Sequence, residues 1–380
     1  MPGFIAAKKQ FAESEMSLGS ETSAGLNPEG LSTEAENGFH WALIPGLPDD
    51  VAKFCLALIP RSYFPTMGTV CKSWRSFIQS KEFIIVRNEA AKLEEWIYML
   101  TGNEEGKGSH WEVLSCFGKK QFALPPMPGP TKAGFGVVVL DGRLLVIAGY
   151  SADHGIEYVY DEVYQYDSRL NRWSMLAKMN IARYDFACAE VNGAVYAVGG
   201  YGSGGDSLSS AEVYDPDRNE WRLIESLKKP RYGCFACSFE DKLYVMGGRS
   251  SFTIGSSRSV DVYDPSYHSW CEIKNGCVMV TAHAVLGKRL FCMEWRNQRK
   301  LSIFDPADGS WRKVSVPLTG SSKIGFRFGI LDGKLLLFSL EEEPGYQTLM
   351  YDPDAPMGAE WRISTVKPSG QCLCTVTIKA

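Results

Sequence analysis

The sequence predicts a mainly β protein, a six-bladed β-propeller preceded by a small all-α domain. Three observations predict it: a multi-strand unit that recurs at near-constant spacing, an alternating segment near residue 375 with no sequence neighbour to pair with, and a switch to helical apolar spacing between residues 43 and 83. The clearest unit runs from Arg183 to Trp221. Its strands are Phe186 to Val191, Val195 to Val198 ending in Gly199-Gly200, and Glu212 to Tyr214; Asp215-Pro216 then turns the chain and Trp221 opens a fourth. A repeat of this length cannot bury its own faces, so copies must stack.

Asp167, Asp215, Asp264, Asp305 and Asp352 mark five units and lie 48, 49, 41 and 47 residues apart. Tryptophan follows the aspartate by six residues at Trp173, Trp221, Trp270 and Trp311, and by nine at Trp361. Blades radiate from an axis, so the gaps between them widen outward and need large side chains. Each Tyr or Trp buries roughly 150 to 250 Å², a gross ~4 to 6 kcal/mol at about 25 cal/mol per Å². Glycines end the second strand where backbones approach closely, and Asp-Pro suits a tight turn before the outer strand. Paired glycines, then Tyr-Asp, then Trp at about 50 residues per unit resemble the kelch repeat. Two units depart from it: Glu294-Trp295 and Phe338-Ser339 replace the glycine pair in the fourth and fifth, and Phe304 replaces the fourth tyrosine.

Taken in order, residues 1–38 carry six glutamates against two lysines and little to bury, which predicts a disordered tail with at most a marginal helix at Phe4 to Phe11. Residues 39–83 read as a helical domain. Pro48-Asp49 starts a helix ahead of Val51, Phe54, Cys55 and Leu58, Pro60 ends it, and Tyr63 to Ile78 supplies another with Val70, Trp74 and Phe77 on one face. On composition alone this is a three-helix domain with an apolar core. Leu47-Pro48-Asp49, Leu58-Ile59-Pro60, Val70-Cys71-Lys72-Ser73-Trp74-Arg75 and the closing Ser80 to Phe83 together resemble an F-box. The resemblance implies that Leu47, Pro48, Val51, Leu58, Ile59, Pro60, Val70, Cys71 and Trp74 dock a Skp-type adaptor, and through it the cullin and RING subunits of a ubiquitin ligase. An amphipathic helical face would enter the adaptor's groove.

Phe83 to Glu95 reads as helix, so residues 84–95 form a stiff connector. The propeller is read as residues 96–380. Trp96 to Leu100 and Trp111 to Ser115 supply second and third strands of a sixth blade, Phe122 stands near its tryptophan position, and Cys372 to Ile378 supplies the missing inner strand. That closure leaves few exposed edges.

Net charge is −4, which points to neither a nucleic acid nor an anionic membrane as partner. Eleven cysteines, several mid-strand (Cys188, Cys292, Cys374), and the absence of an N-x-Ser/Thr sequon read as reduced core thiols in a cytoplasmic or nuclear protein. No run of 18 apolar residues suggests a membrane span. Met1 to Lys9 lacks the apolar region of a secretory leader, and Pro2 excludes N-myristoylation.

Motifs that suggest catalysis have simpler readings. Gly200 to Gly205 satisfies G-x-G-x-x-G but leads into another strand, with no helix N-terminus for a phosphate. Cys234-x-x-Cys237 falls on one strand, where alternation sends the thiols to opposite faces, and no second ligand pair completes a zinc site. Histidines 40, 110, 154, 268 and 283 are scattered and none forms a recognisable triad. Neither a metal nor a cofactor is expected, and the chain is read as non-catalytic.

The candidate binding residues lie where outer strands cross to the next blade and in the second-to-third strand loops, which share one face in kelch propellers. They are Tyr150, Arg183, Tyr184, Tyr201, Arg231, Tyr232, Arg249, Trp295, Arg296 and Arg327; Arg, Tyr and Trp are enriched in binding hot spots. An equal alternative makes Arg183 and Arg231 inter-blade salt-bridge residues. The overall resemblance is to plant-type F-box/kelch-repeat proteins, which implies a substrate receptor of an SCF cullin-RING ubiquitin ligase: the F-box recruits the machinery and the propeller selects a protein for ubiquitylation. Some members direct degradation of phenylalanine ammonia-lyase or of cytokinin-response regulators, and the residues do not choose between them. A ligase-independent kelch scaffold and a galactose-oxidase-like propeller enzyme are the alternatives, although no convincing set of copper ligands is visible.

Overall fold

The computed structural model describes residues 42–102, 108–115, 117–274, 280–294, 299–305, 310–318, 325–340 and 347–380, and residues 42–380 form one unit. The expected tail, residues 1–38, and residues 39–41 of the expected helical domain lie outside the described residues.

Six antiparallel sheets make the propeller among the described residues, five of four strands and the third blade's of five, in which Thr253–Ser256 pairs with Lys242–Ser250. The first blade contains Gly136–Leu140, Arg143–Ile147, Val163–Asp167 and Arg172–Met175. The second contains Ala187–Val191, Ala194–Val198, Ala211–Asp215 and Glu220–Ile224. Inner strands of the third, fourth and fifth are Tyr232–Phe239, Val280–Leu286 and Phe326–Leu331. In the closing blade Gln371–Lys379 is innermost and pairs with Glu95–Gly102, followed by Ser109–Ser115 and Lys120–Ala123. The two ends of the propeller are thus held by one strand pair, with Trp96 opposite Ile378 and Met99 opposite Thr375.

Separate apolar clusters fill the six gaps between blades. In all five Tyr/Phe-Asp units the aromatic before the aspartate faces the tryptophan across the outer strand pair, with ring centroids 4.9 to 5.3 Å apart. The turn between them uses a left-handed residue at Asn171, Asn219 and His268. Tyr166 and Tyr214 donate their hydroxyls to the Oδ1 of Asn171 and Asn219, at 2.7 and 2.9 Å. Asparagine tolerates positive φ and supplies the acceptor at once.

The glycine pair of the second blade shows why a side chain is excluded there. Gly199 and Gly200 have φ of +67° and +93°, and a Cβ would lie 2.4 Å from the Arg231 carbonyl oxygen and 2.5 Å from that of Tyr184. The glycines admit the incoming segments of their own blade and of the next.

Among the described residues four α-helices precede the propeller: α1 Asp49–Ala57, α2 Phe64–Val70, α3 Lys72–Gln79 and α4 Lys81–Glu89. The expected helix from Tyr63 to Ile78 is therefore two. Cys71 is extended (φ −157°, ψ 170°) and its Sγ caps α3 by accepting from the Trp74 amide. The expected helix to Glu95 also ends early: α4 stops at Glu89, Ala91 takes φ 51°, and the propeller's first strand begins at Glu95. No helix among the described residues is long and apolar enough to cross a membrane.

Candidate functional site: a helical docking face and a propeller loop face

Helix α1 carries two apolar stripes. Ala52, Leu56 and Ala57 are buried with Phe64, Met67, Phe77, Ile78 and Phe83, while Val51, Phe54 and Leu58 point outward, each more than 40% exposed. A surface helix normally needs one apolar face for its own core. The second stripe has no intramolecular use among the described residues, and Leu47, Pro48, Val70 and Cys71 are exposed as well. A contiguous exposed apolar patch marks an interaction surface. Pro60 is exposed beside it, whereas Ile59 and Trp74 are half-buried against the helical core, Trp74 donating Nε1–H to the Leu43 carbonyl at 2.7 Å. Phe54, absent from the sequence-derived docking residues, shares the outward face of Val51 and Leu58 through i, i+3, i+7 spacing.

Buried arginines fasten this module to the propeller. Arg61 donates to the carbonyls of Glu94 and Ile378 at 2.9 and 2.7 Å and lies 4.5 Å over the Trp96 ring. Arg87 works inside the module, donating to the carbonyls of Ala57 and Ile59 at 2.7 and 2.8 Å, and reaches Glu94 just ahead of the first propeller strand at 3.3 Å. Gln79 at the end of α3 reaches Asp167 of the first blade at 3.1 Å, and Arg169 returns a bond to the Gln79 carbonyl. Burial pushes the Asp167 carboxyl up, but Arg169 and the Gln79 amide outweigh it and hold it below the usual range. The fastening combines charge-assisted bonds with packing, so the short α4 need not provide the stiffness alone.

On the loop face, two of the sequence-derived residues are corrected. Arg183 and Arg231 are buried, and neither offers its guanidinium to a partner. Arg183 donates to the carbonyls of Gly199 and Ser210 at 2.8 and 3.0 Å and pairs with Glu212 at 2.7 Å. Arg231 repeats the pattern with Gly247, Ser259 and Asp261. Their own backbones bond the neighbouring loops: the Gly149 amide donates to the Arg183 carbonyl, and that of Gly200 to the Arg231 carbonyl. These arginines lock crossing loops onto strand ends. Trp295 and Arg296 lie outside the described residues.

The remaining tyrosines assemble. Tyr150, Tyr184, Tyr201 and Tyr232 form a continuous row with ring centroids 4.5, 5.1 and 4.0 Å apart, the last pair stacked. Arg249 is exposed and pairs directly across strands with Tyr232. Burial, then the hydrogen bond with Tyr232, pushes the Tyr201 hydroxyl's pKa up, and the row supplies flat ring area with polar edges. A free hairpin, Tyr150–Asp153 paired with Ile156–Val159, stands beside it with Ile156 and Tyr158 exposed.

Inside the row opens an axial channel of about 520 Å³, lined from every blade and including Asp185, His283, Arg327, Cys188, Cys234 and Cys374. Arg327 is exposed on the fifth inner strand. Asp185 takes φ 50° where the first and third blades have Gly134 and Gly233 at +60° and +59°; burial raises its carboxyl pKa. Sequence reading missed it, although Arg-Tyr-Asp against Arg-Tyr-Gly was the available signal. Burial lowers His283 to about 4. Burial also pushes the thiols of Cys188, Cys234 and Cys374 up to about 12, 11 and 12, so they are protonated near neutrality and poor nucleophiles. Cys234 and Cys237 enter different apolar clusters, on either side of their blade.

A closed propeller with a loop face at one end and an outward apolar helical stripe defines a two-surface binding protein. Residues 44–85 match the F-box domain, and residues 134–338 match the KLHDC2/KLHL20/DRC7 Kelch-repeats domain. Among curated proteins of Arabidopsis thaliana, the chain is 60% identical to F-box/kelch-repeat protein At1g67480 over 91% of this chain and 92% of the relative. It is 40% identical to the putative F-box/kelch-repeat protein At1g27420 over 88% and 97%, and 32% identical to F-box/kelch-repeat protein SKIP30 over 88% and 95%. The chain belongs to the family of plant F-box/kelch-repeat proteins.

Proposed function

We propose that this chain is the substrate-recognition subunit of an SCF-type E3 ubiquitin ligase, acting in the cytoplasm or nucleus. Its F-box docks a Skp-type adaptor, which brings cullin and RING subunits, and its propeller holds the protein to be ubiquitylated. The observation that carries the reading is the second apolar stripe of α1, Val51, Phe54 and Leu58, exposed on a module whose core is already complete. The chain's contribution is proximity: it turns a bimolecular encounter between ligase and target into a tethered one. Transfer chemistry belongs to the partners.

The test is capture of a purified Skp-type adaptor by the full chain. Wild type is expected to retain it, and Leu47→Asp with Pro48→Ala, or Phe54→Asp alone, to lose it with the propeller's unfolding transition unchanged. Undiminished capture by both variants would show that the docking surface lies elsewhere.

A further inference from the structure

The loop face is electrically polarised along the tyrosine row. At the Tyr150 end the hairpin exposes Asp153 and Glu157, and Asp185 follows Tyr184 at the channel mouth. Glu157 and Asp185 both act on the Tyr184 hydroxyl, adding to burial in raising its pKa, so both lie within its electrostatic reach. At the other end Arg249 pairs across strands with Tyr232, and Arg258 is exposed at the far side of the same loop. The second blade's loop lies between, with Asp206 exposed, and is held to the third blade's loop by Ser207–Ser251 bonds of 3.0 Å. Other charges near the hairpin cancel locally: Lys132 pairs with Glu162 and Lys178 with Asp161. Glu157, Asp185, Arg249 and Arg258 have no ion-pair partner among the described residues.

We infer that this face binds an extended segment of the target protein, with a lysine or arginine at the hairpin end and an aspartate or glutamate at the Arg249 end. The inference rests on the substrate-receptor reading and names the chemistry of what the receptor selects. The three ring-to-ring steps set the spacing. An extended chain rises about 3.3 Å per residue, so about four residues cross the row and carry its two charged side chains to opposite poles. The ring edges and hydroxyls give a flat floor with hydrogen-bonding capacity, and exposed Ile156 and Tyr158 add apolar contact at one wall. Complementary charge fixes the register and rejects segments of a single sign, which would meet a like charge at one pole.

The experiment selects a displayed library of random linear peptides on the full chain, with adaptor capture measured in parallel. Enriched peptides are expected to pair one basic and one acidic residue about four positions apart. R249E with R258E is expected to weaken a selected peptide by about tenfold or more, and replacing the peptide's acidic residue by lysine to restore binding. Glu157→Lys, on the free hairpin, should do the reciprocal with the basic residue. No enrichment, enrichment of single-sign or uncharged peptides, or indifference to both reversals would overturn the inference. If adaptor capture stays normal in that case, the receptor reading stands without it; if the wild-type chain captures no adaptor, it is the receptor reading that fails.

Discussion

Arg183 and Arg231 look in the sequence like residues offered to a partner, since each stands before a tyrosine on a crossing loop. Both guanidiniums are instead spent on carbonyls and a carboxylate beneath the surface. Removing one member of such a pair leaves a charge buried without compensation. Arg183→Met or Glu212→Gln alone is therefore expected to cost about 3 to 5 kcal/mol, and the double replacement less than the sum, measured by denaturant unfolding. His283 gives a pH prediction of definite sign. Its folded pKa of about 4 lies below the ordinary histidine value of 6.5, so as pH falls the unfolded chain takes up the proton first. Stability should decline between those two values with a slope of at most about 1.4 kcal/mol per pH unit. His283→Gln should flatten this part of the profile; an unaltered slope would mean that other groups carry it.

At the scale of elements, closure and fastening matter more than any helix or strand alone. Gln371–Lys379 pairs with Glu95–Gly102, while Ile378 also receives Arg61 and Ala380 packs in the helical core. One terminal strand thus serves the ring and the helical module together. Deleting residues 371–380 would expose the edge of Glu95–Gly102 and remove the Ile378 carbonyl from the buried Arg61 guanidinium. The expected outcome is loss of a single cooperative thermal transition, with aggregation; retention of the wild-type melting curve would contradict it.

For the whole molecule, the consequence of that fastening is geometric. A target held on the loop face would keep a fixed position relative to the outward stripe, because Arg61 and the Gln79–Asp167–Arg169 contacts tie the helical module to the propeller. Loosening the seam with Arg61→Leu and Gln79→Ala should preserve adaptor capture while slowing ubiquitin transfer to a bound target several-fold. Equal transfer rates would show that fixed spacing is dispensable. Helices that read as a stiff rod in the sequence achieve rigidity through side chains, because α4 ends six residues before the first propeller strand.

Repeat spacing, the Tyr-Asp and Trp positions and the alternating C-terminal segment were sufficient to specify a propeller and its mode of closure, because those signals are periodic and local. The Leu-Pro opening and the helical spacing of Val51, Phe54 and Leu58 were equally legible, but that Phe54 points outward with Val51 and Leu58 was not. Which arginines stay exposed was not, since Arg183 on its crossing loop is buried by two carbonyls and a carboxylate 29 residues away, whereas Arg327 lies exposed on an inner strand. The tyrosine row was legible as four separate residues but not as a stack, and the charge poles at its ends arise from three blades brought to one rim. Local sequence sets period and amphipathicity; burial, pairing and polarity depend on neighbours that only the closed ring supplies.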